Sequence, residues 1–305
     1  MGDRRRISVV ICTRDRAEDL SACLRSIDRQ SVAPEQVVVV IGSAESVCDD
    51  IDVCLTRASL EVVECFEHNI SASRNAGLGK ATGEIVVFID DDAIARAGWL
   101  EAYRDAFERE PEAWAIGGDV FDARVSPMEL EFSRGVISRC GRQRAVCDGD
   151  SQAMGSRWLP NVKGCNFAID RERAMGVGGF DSFFAFAFDE ADLMVTIGDA
   201  GGLVMHEPRA AVDHAHTPGH YRQASRLDRD WGVEYASHAM FVLKHARGVG
   251  RVRGMGVLIV RVCKLAAAVL VGVLVGKVRH RVGGRYVCDA VGGIARARRA
   301  FAAKG

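Results

Sequence analysis

The sequence predicts an α/β protein with a doubly wound, mostly parallel sheet and a C-terminal helical tail that is both basic and apolar. Two observations predict the sheet: apolar runs alternate with helical segments, and one run, at 85–89, leads directly into Asp90, Asp91 and Asp92. An unbroken apolar run is typical of a parallel strand that is buried on both faces. A third observation, the concentration of positive charge after residue 244, predicts the tail.

Each predicted element follows from its own local pattern. Apolar runs predict strands at 7–12, 36–41, 60–64, 85–89, 114–120, 164–169, 203–206 and 210–214. Helical spacing of apolar residues predicts helices at 17–30, 71–80, 99–109 and 188–201. This alternation implies parallel strands joined by helical crossovers. Residues 122–160 are less regular and mixed in charge, so no regular element is predicted there.

Composition limits the class of protein. The 305 residues are 48% hydrophobic, which permits a substantial core, and their net charge is −1. Ten cysteines without a Cys-x-x-Cys pair indicate reduced, mostly buried thiols rather than a disulfide framework or a zinc site. No signal peptide fits the first residues, which lead directly into a strand. We therefore expect a cytoplasmic protein, with no nucleic-acid partner.

The tail has an unusual charge balance. From Lys244 to the end, 14 Lys and Arg and a single acid, Asp289, give +13. The uncharged run at 265–276 is shorter than the roughly 20 residues that a spanning helix needs. Three alternatives remain: a tilted span in which Arg261 and Lys264 reach the interface, a helix on an anionic membrane surface, and a helix packed on the rest of the protein. Either membrane alternative places the protein at the inner face of the cell membrane.

The three adjacent aspartates are the clearest candidate for a site. Asp90, Asp91 and Asp92 follow a buried strand, and the carboxyl ends of parallel strands are where open α/β sheets bind ligands. Neighbouring carboxylates repel one another unless a positive group joins them. Mg²⁺ and Mn²⁺ prefer such oxygen ligands and commonly bridge to phosphates. The pattern predicts a metal–diphosphate site, and the alternative is an acidic turn that caps the next helix.

The loop after the first strand excludes one class of enzyme and offers contacts for another ligand. It has no Gly-x-Gly-x-x-Gly, which argues against a dinucleotide-binding dehydrogenase. It also lacks the Gly-rich basic loop with which a nucleotidyltransferase holds a triphosphate. Thr13, Arg14 and Arg16 offer hydrogen-bond donors near the expected nucleotide, although a solvated loop would look the same.

Several short motifs follow one another along the chain. They are, in chain order, Ser71-Ala72-Ser73-Arg74-Asn75-Ala76-Gly77, the strand that ends in Asp90-Asp91-Asp92, Gly98-Trp99-Leu100, Gly164-Cys165-Asn166-Phe167, Gly178-Gly179-Phe180-Asp181, Asp189-Glu190-Ala191-Asp192-Leu193 and Val212-Asp213-His214. Their order resembles that of the family 2 glycosyltransferases, which have the GT-A fold. The resemblance covers residues 7 to 245, and no single motif carries it alone.

The resemblance implies three parts and a donor site. Residues 1–121 would bind a nucleotide-diphosphate sugar, residues 122–245 would supply the acceptor surface and base of the same domain, and residues 246–305 would form the tail. Arg74 and Asn75 would contact the nucleotide, and Asp90 or Asp91 would hold donor hydroxyls. Mn²⁺ or Mg²⁺ would be bound by Asp92, with Asp90 as a further candidate, and by His214. His216 and His220 are alternatives to His214.

The resemblance also implies the reaction, which is transfer of a sugar with inversion to a hydroxyl of a glycan, a lipid-linked molecule or a small molecule. Glu190 falls at the position of the base, with Asp189 beside it and Asp192 as an orienting or capping residue. Two departures stand out: Asp-Glu replaces the commoner Glu-Asp order, and Val40-Ile41 replace an acidic pair that reads the base of the nucleotide. They leave a non-catalytic nucleotide-sugar-binding or scaffold protein as the alternative.

Overall fold

The computed structural model describes residues 4–44, 51, 54–124, 130–132, 134–146, 158–218, 230–275 and 280–303. Its strands are β1 Ile7–Thr13, β2 Gln36–Ile41, β3 Ser59–Glu64, β4 Ile85–Asp90, β5 Ala93–Ala95, β6 Ala113–Asp122, β7 Leu130–Phe132, β8 Arg134–Ser138, β9 Gln143–Val146, β10 Trp158–Asn161, β11 Asn166–Asp170 and β12 Leu203–His214. Its helices are α1 Ala17–Asp28, α2 Ile70–Lys80, α3 Trp99–Arg109, α4 Arg171–Gly176, α5 Asp189–Asp199, α6 Trp231–His245, α7 Gly248–Leu274 and α8 His280–Ala302.

The main sheet has the strand order β3-β2-β1-β4-β11-β6-β12-β5, with β7 beside β6. The first four strands of this order are parallel, as is the pair of β6 and β12. β11 runs antiparallel between β4 and β6. The predicted mixed, mostly parallel sheet is therefore confirmed. Strands from the first two predicted parts of the chain, 1–121 and 122–245, interleave in this one sheet.

Helices cover both faces of the sheet, which explains the unbroken apolar strands. On one face, α1 and α3 pack their apolar stripes against the sheet through Leu20, Leu24, Trp99 and Tyr103. On the other face lie α2, α4 and α5. Every residue from Ile85 to Ile89 is consequently buried, so β4 delivers its terminal aspartates from a rigid position at the centre of the sheet.

Two regions differ from the predicted elements. The stretch 122–160 contains short strands, and β8, β9 and β10 form a separate antiparallel sheet in the order β10-β8-β9. The strands β7 to β10 have only three to five residues each, which is too short for an alternating apolar pattern to be recognised among the charged residues of this stretch. The two strands predicted at 203–206 and 210–214 are one 12-residue strand, β12, with a register shift between Glu207 and Val212.

The C-terminal helices form a third apolar cluster with the start of α5. Phe184 and Phe188, which precede α5, pack with Phe241 of α6 and with Leu258 and Leu265 of α7. α8 contributes Ala290 and Ala297 to the same cluster. The tail therefore packs on the body of the protein beside the helix that carries Asp189 and Glu190.

Candidate active site

A cavity of about 390 Å³ opens at the carboxyl ends of β1 and β4. Its walls are the loop from β1 to α1, the loop from β3 to α2, residues 161–165 after β10 and residues 186–190 at the start of α5. Asp90, Asp91 and His214 also line it. This is the edge at which open α/β sheets bind ligands, and its volume suits a small-molecule substrate.

The adjacent aspartates contact different partners. Oδ1 of the half-buried Asp90 lies 3.6 Å from Nη2 of Arg74. Oδ1 of the buried Asp91 accepts a hydrogen bond of 2.7 Å from Nη1 of Arg16. Burial raises the pKa of Asp91 to about 7, with Arg16 opposing the shift and the neighbouring Asp92 adding to it. The cluster therefore concentrates carboxylates that a cation would stabilise.

Asp92 contacts the end of β12, and its Oδ2 also lies 3.4 Å from Nη1 of Arg16. Its Oδ2 accepts a hydrogen bond of 2.8 Å from the backbone N–H of Thr217, and its carbonyl accepts one of 2.9 Å from Ala215. Its Oδ1 lies 3.3 Å from Nε2 of the buried His214. Among the described residues Asp92 does not line the cavity, whereas Asp90 does. Asp92 therefore helps to hold the chain around His214, and its expected role as a metal ligand stays a prediction.

Three side chains bring together donor atoms for a cation. One ligand atom each from Asp90, Cys165 and His214 lie within 4.8 Å of one another. The carboxylate and the imidazole fit Mn²⁺, and both line the cavity. The sulfur of Cys165 is a soft ligand, which suits Zn²⁺ or Cu⁺ better than Mn²⁺. Asp90 and His214 are therefore the residues that would hold the ion. His216 stacks on His214 at 3.9 Å between ring centroids, and His220 lies outside the described residues.

Arg74 connects the aspartates with the start of α5. Its buried guanidinium pairs with the carboxylate of Asp189 and donates a hydrogen bond of 2.7 Å to the carbonyl of Gly164. Burial disfavours its charge, but Asp189 and Asp90 more than compensate and raise the pKa of Arg74. A Cβ on Gly164 would lie 3.0 Å from Nη2 of Arg74, so the glycine leaves room for this cation. Arg74 was expected to contact the nucleotide; here it joins the two acidic sides of the cavity.

Glu190 is the acid best placed to act as a base. It is half-buried, lines the cavity and follows Asp189 on the first turn of α5. Burial, together with the adjacent Asp189 carboxylate, raises the pKa of Glu190 to about 8. A general base is most effective when its pKa is close to the working pH. Asp189 and Glu190 both line the cavity, and the expected role of Glu190 as the base stays a prediction.

An unusual backbone places Glu190. Ala187 and Phe188, directly before α5, have φ of 62° and 66°, a left-handed conformation that costs a non-glycine residue about 1 kcal/mol or more. Packing of Phe188 compensates for this cost. Its ring stacks on His238 at 4.9 Å and contacts Phe241 at 5.1 Å between centroids. Helix α6 therefore helps to fix the point at which α5 begins.

Basic side chains form the opposite wall of the cavity. Arg14 donates to the carbonyls of Phe66 and Glu67 at 3.0 and 3.1 Å and contacts Nε2 of His68 at 2.9 Å. Thr13, Arg14 and Arg16 all line the cavity, as expected for contacts to a nucleotide. Glu67, His68, Gln143 and Lys163 line it as well, and sequence reasoning did not identify them because no motif includes them.

Two expected site residues have structural partners instead. The Asn75 side chain donates to the carbonyl of Phe180 at 2.7 Å and accepts from its N–H at 2.9 Å, which fixes the turn after α4. Asp192 is buried and pairs with Lys244 and His245 of α6, each at 2.7 Å. In the described part of the chain, neither residue lines the cavity. Asp192 thus ties α5 to α6 rather than orienting the base directly.

Solved structures with the same architecture are glycosyltransferases. GalNAc-T7 with UDP, GalNAc and Mn²⁺ superposes with a TM-score of 0.61 and 15% identity, over 79% of this chain and 48% of that one. A mannosyltransferase from Pyrobaculum calidifontis, in complex with GDP-Man and Mn²⁺, gives a TM-score of 0.52 and 17% identity over 97% of this chain and 88% of that one. At these identities the likeness shows the fold alone, which is GT-A-like.

The sequence comparisons identify the family. The model of glycosyl transferase family 2 matches residues 8–172, more than half of the chain. The glucosyl-dolichyl phosphate glucuronosyltransferase of Haloferax volcanii is 29% identical over 68% of this chain and 69% of its own length. The pre-mycofactocin glycosyltransferase of Mycobacterium tuberculosis is 28% identical over 70% of this chain, which spans only 43% of that protein. The chain belongs to glycosyl transferase family 2 and is a glycosyltransferase, which confirms the expected class.

Proposed function

We propose that this protein is a metal-dependent, inverting glycosyltransferase that moves a sugar from a nucleotide-diphosphate sugar to a hydroxyl of its acceptor. One observation carries the proposal: Arg74 joins Asp90, on the donor side of the cavity, to Asp189, which precedes the half-buried Glu190. A group that holds the donor and a group that accepts a proton thereby face one cavity. Inversion requires the base and the group that holds the diphosphate to lie on different sides of the sugar, because the acceptor attacks opposite the leaving diphosphate.

Glu190 acts as the base in this proposal. Its carboxylate takes the proton of the acceptor hydroxyl as the oxygen attacks the sugar carbon. The raised pKa makes the carboxylate a stronger acceptor than an exposed glutamate while leaving part of it ionised near neutral pH. Because Arg74 pairs with Asp189, the negative charge beside Glu190 is partly neutralised. Arg74 thus positions the acidic pair and limits its mutual repulsion.

Asp90 and His214 bind a divalent cation, and Arg14 and Arg16 contribute positive charge on the donor side. A bound Mn²⁺ or Mg²⁺ supplies Lewis-acid stabilisation of the leaving diphosphate. Arg16 is partly buried and already pairs with Asp91, so it fixes that carboxylate for a contact with donor hydroxyls. Support for the cation comes from the two solved neighbours that contain Mn²⁺ and from the donor atoms around Asp90.

The acceptor is a glycan, a lipid-linked molecule or a small molecule. Relatives support both a lipid-linked and a small acceptor, since one is named for glucosyl-dolichyl phosphate and another for pre-mycofactocin. Backbone groups or Arg14 would have to read the nucleotide base, because β2 ends in Val40-Ile41 without an acid.

A donor screen tests the proposal. The purified protein is incubated with UDP-, dTDP- and GDP-sugars, with Mn²⁺ or with EDTA, and melting temperature and donor hydrolysis are recorded. We expect one nucleotide class to raise the melting temperature only when the metal is present, because ligands that bind the folded state stabilise it by mass action. The anomeric configuration of the product, read by NMR, reports inversion. Equal stabilisation with EDTA would disprove the metal requirement, and retention at the anomeric carbon would disprove the base role of Glu190.

A further inference from the structure

Helix α7 has an apolar surface that the described part of the chain leaves exposed. The helix is long and apolar enough to cross a membrane, and only 22% of its most apolar stretch is buried in the protein. Six large aliphatic side chains, between 53% and 81% exposed, define what we call the apolar face: Val249, Val252, Ile259, Val260, Leu270 and Leu274. Monomeric soluble proteins rarely expose an apolar strip of this length.

The opposite side of α7 is docked on the protein. The buried positions Gly254, Leu258, Leu265, Val269 and Gly272 form one narrow stripe. Because successive residues of an α-helix are rotated by about 100° around its axis, this stripe lies on the side of α7 opposite the apolar face. At Gly254 a Cβ would lie 2.5 Å from Cγ1 of Val242, so α6 and α7 pack closely there. The helix therefore has one face fixed to the body and one face directed outward.

An inward-facing arginine argues against a membrane span. Arg261 lies at the middle of α7, and its Nη2 donates to Oε1 of Glu234 at 2.7 Å. Its Nη1 contacts Nδ1 of His238 at 2.6 Å. Both partners belong to α6, which packs against the helix of the candidate base. The centre of α7 cannot stay tied to these polar groups and also lie at the middle of a bilayer, so the expected outward reach of Arg261 does not occur.

Charge indicates what covers the apolar face. The segment from Lys244 to the end carries +13, and α7 itself contains no acidic residue. The exposed Arg253 and Lys264 border the apolar face on one side. A second copy of the chain would bring the same positive charge against this surface, which opposes self-association. An anionic membrane offers both apolar chains and negative headgroups.

We propose that α7 lies flat on an anionic membrane with its apolar face among the acyl chains. The first turn of α7 also contacts the turn between β8 and β9, since Sγ of Cys140 lies 3.3 Å from the carbonyl of Gly250. Three residues later, Gln143 lines the cavity. Membrane binding therefore brings the acceptor side of the cavity close to lipid. This inference deepens the proposed function, and only the identity of the acceptor rests on that function.

Vesicle flotation with the full chain tests this proposal. Wild-type protein is mixed with phosphatidylcholine vesicles or with vesicles of phosphatidylcholine and phosphatidylglycerol, and the bound fraction is measured after a density gradient. We expect binding to the anionic vesicles, weakened by at least about tenfold in the double variant Ile259→Gln/Leu270→Gln because two aliphatic side chains no longer enter the acyl region. The matched control, Val62→Thr/Met175→Gln, replaces side chains that are 44% and 46% exposed elsewhere and should bind as wild type does.

Three results would overturn the proposal. They are wild-type protein that floats with neither vesicle, a double variant that floats as well as wild type, and a wild-type dimer in sedimentation velocity that the double variant abolishes. Both substituted side chains are more than half exposed, so unchanged melting temperatures are expected and check the fold. Donor hydrolysis without vesicles should be the same in wild type and double variant. Vesicle binding without hydrolysis of any donor would refute the proposed function and leave membrane binding standing.

Discussion

Arg74 of α2 and Asp189 of α5 form a buried ion pair across 115 residues of sequence. The pair fixes the start of α5 relative to the carboxyl end of β4, because Arg74 also lies 3.6 Å from Asp90. An uncompensated buried charge is strongly destabilising, so the arrangement favours a single geometry of the three side chains. The distance between Asp90 and the start of α5, where the proposed base lies, is thereby set by the fold.

Replacement of Glu190 by glutamine should abolish transfer and leave donor binding nearly unchanged. The amide keeps the size of the side chain but cannot accept a proton, which removes a contribution of about 100-fold or more to the rate. Turnover and donor affinity are measured separately, the latter by calorimetry. Glu108→Gln, on the exposed side of α3, is the matched control. A Glu190→Gln protein that retains turnover would remove this residue from the base role.

The rate should rise with pH through the pKa of Glu190. Only the carboxylate accepts a proton, and the pKa is raised to about 8, so kcat/KM should increase with pH up to that value. Asp189 is one cause of the shift. In Asp189→Asn the rising limb should therefore move to lower pH, even if the maximal rate falls. A limb that stays in place would show that another group controls it.

Asp90→Asn should weaken the metal-dependent part of nucleotide binding. The amide is a poorer ligand for Mn²⁺ and loses the negative charge that the cation neutralises. Calorimetry measures the affinity for the nucleotide diphosphate in the presence of Mn²⁺ and in the presence of EDTA. The two affinities should be similar for this variant and should differ for the wild type. Asp105→Asn, on α3 away from the cavity, provides the control. Unchanged Mn²⁺ dependence in Asp90→Asn would return the metal to Asp92.

Asp192→Asn should destabilise the protein rather than impair its chemistry. Its buried carboxylate pairs with Lys244 and His245, and Lys244 is about one-third exposed, so the expected loss is about 1–3 kcal/mol of unfolding free energy. Urea denaturation measures this loss, with Asp199→Asn as a control because its pair with Arg139 is exposed and worth less than about 1 kcal/mol. A change in the pH profile without destabilisation would instead favour the orienting role expected from the sequence.

Stability should fall in mild acid because of His238. Burial and the facing Arg261 lower its pKa to about 4. Between pH 6.5 and 4 the unfolded chain binds a proton at this position and the folded chain does not, so the stabilisation present above pH 6.5 is lost as the pH falls. The full effect is on the order of 3 kcal/mol. Urea titrations across this range should show a shallower slope for His238→Gln than for the wild type.

The sequence predicted the helices and strands that depend on local patterns. It did not predict the side-chain contacts that depend on residues far away along the chain. β4 and its aspartates identified the cavity, because an unbroken apolar run has one plausible position in a sheet. Which of Asp90 and Asp92 holds the metal stays a prediction. The contacts of Asp90 with Arg74 and of Asp92 with Thr217 accompany their different positions at the cavity, and the sequence does not show these distant partners. Asp192 presented the same difficulty, because its partners on α6 lie more than 50 residues away.

Every described residue that lines the cavity lies before residue 215, yet the support beneath the base comes later. Phe188 holds its left-handed backbone against Phe241 and His238, and without those rings the turn into α5 would relax. A shortened protein that stops before Trp231 would possess the whole lining and still misplace Glu190, the proposed proton acceptor. Helix α6, which follows the last of the sequence motifs, therefore supports the position of the proposed base.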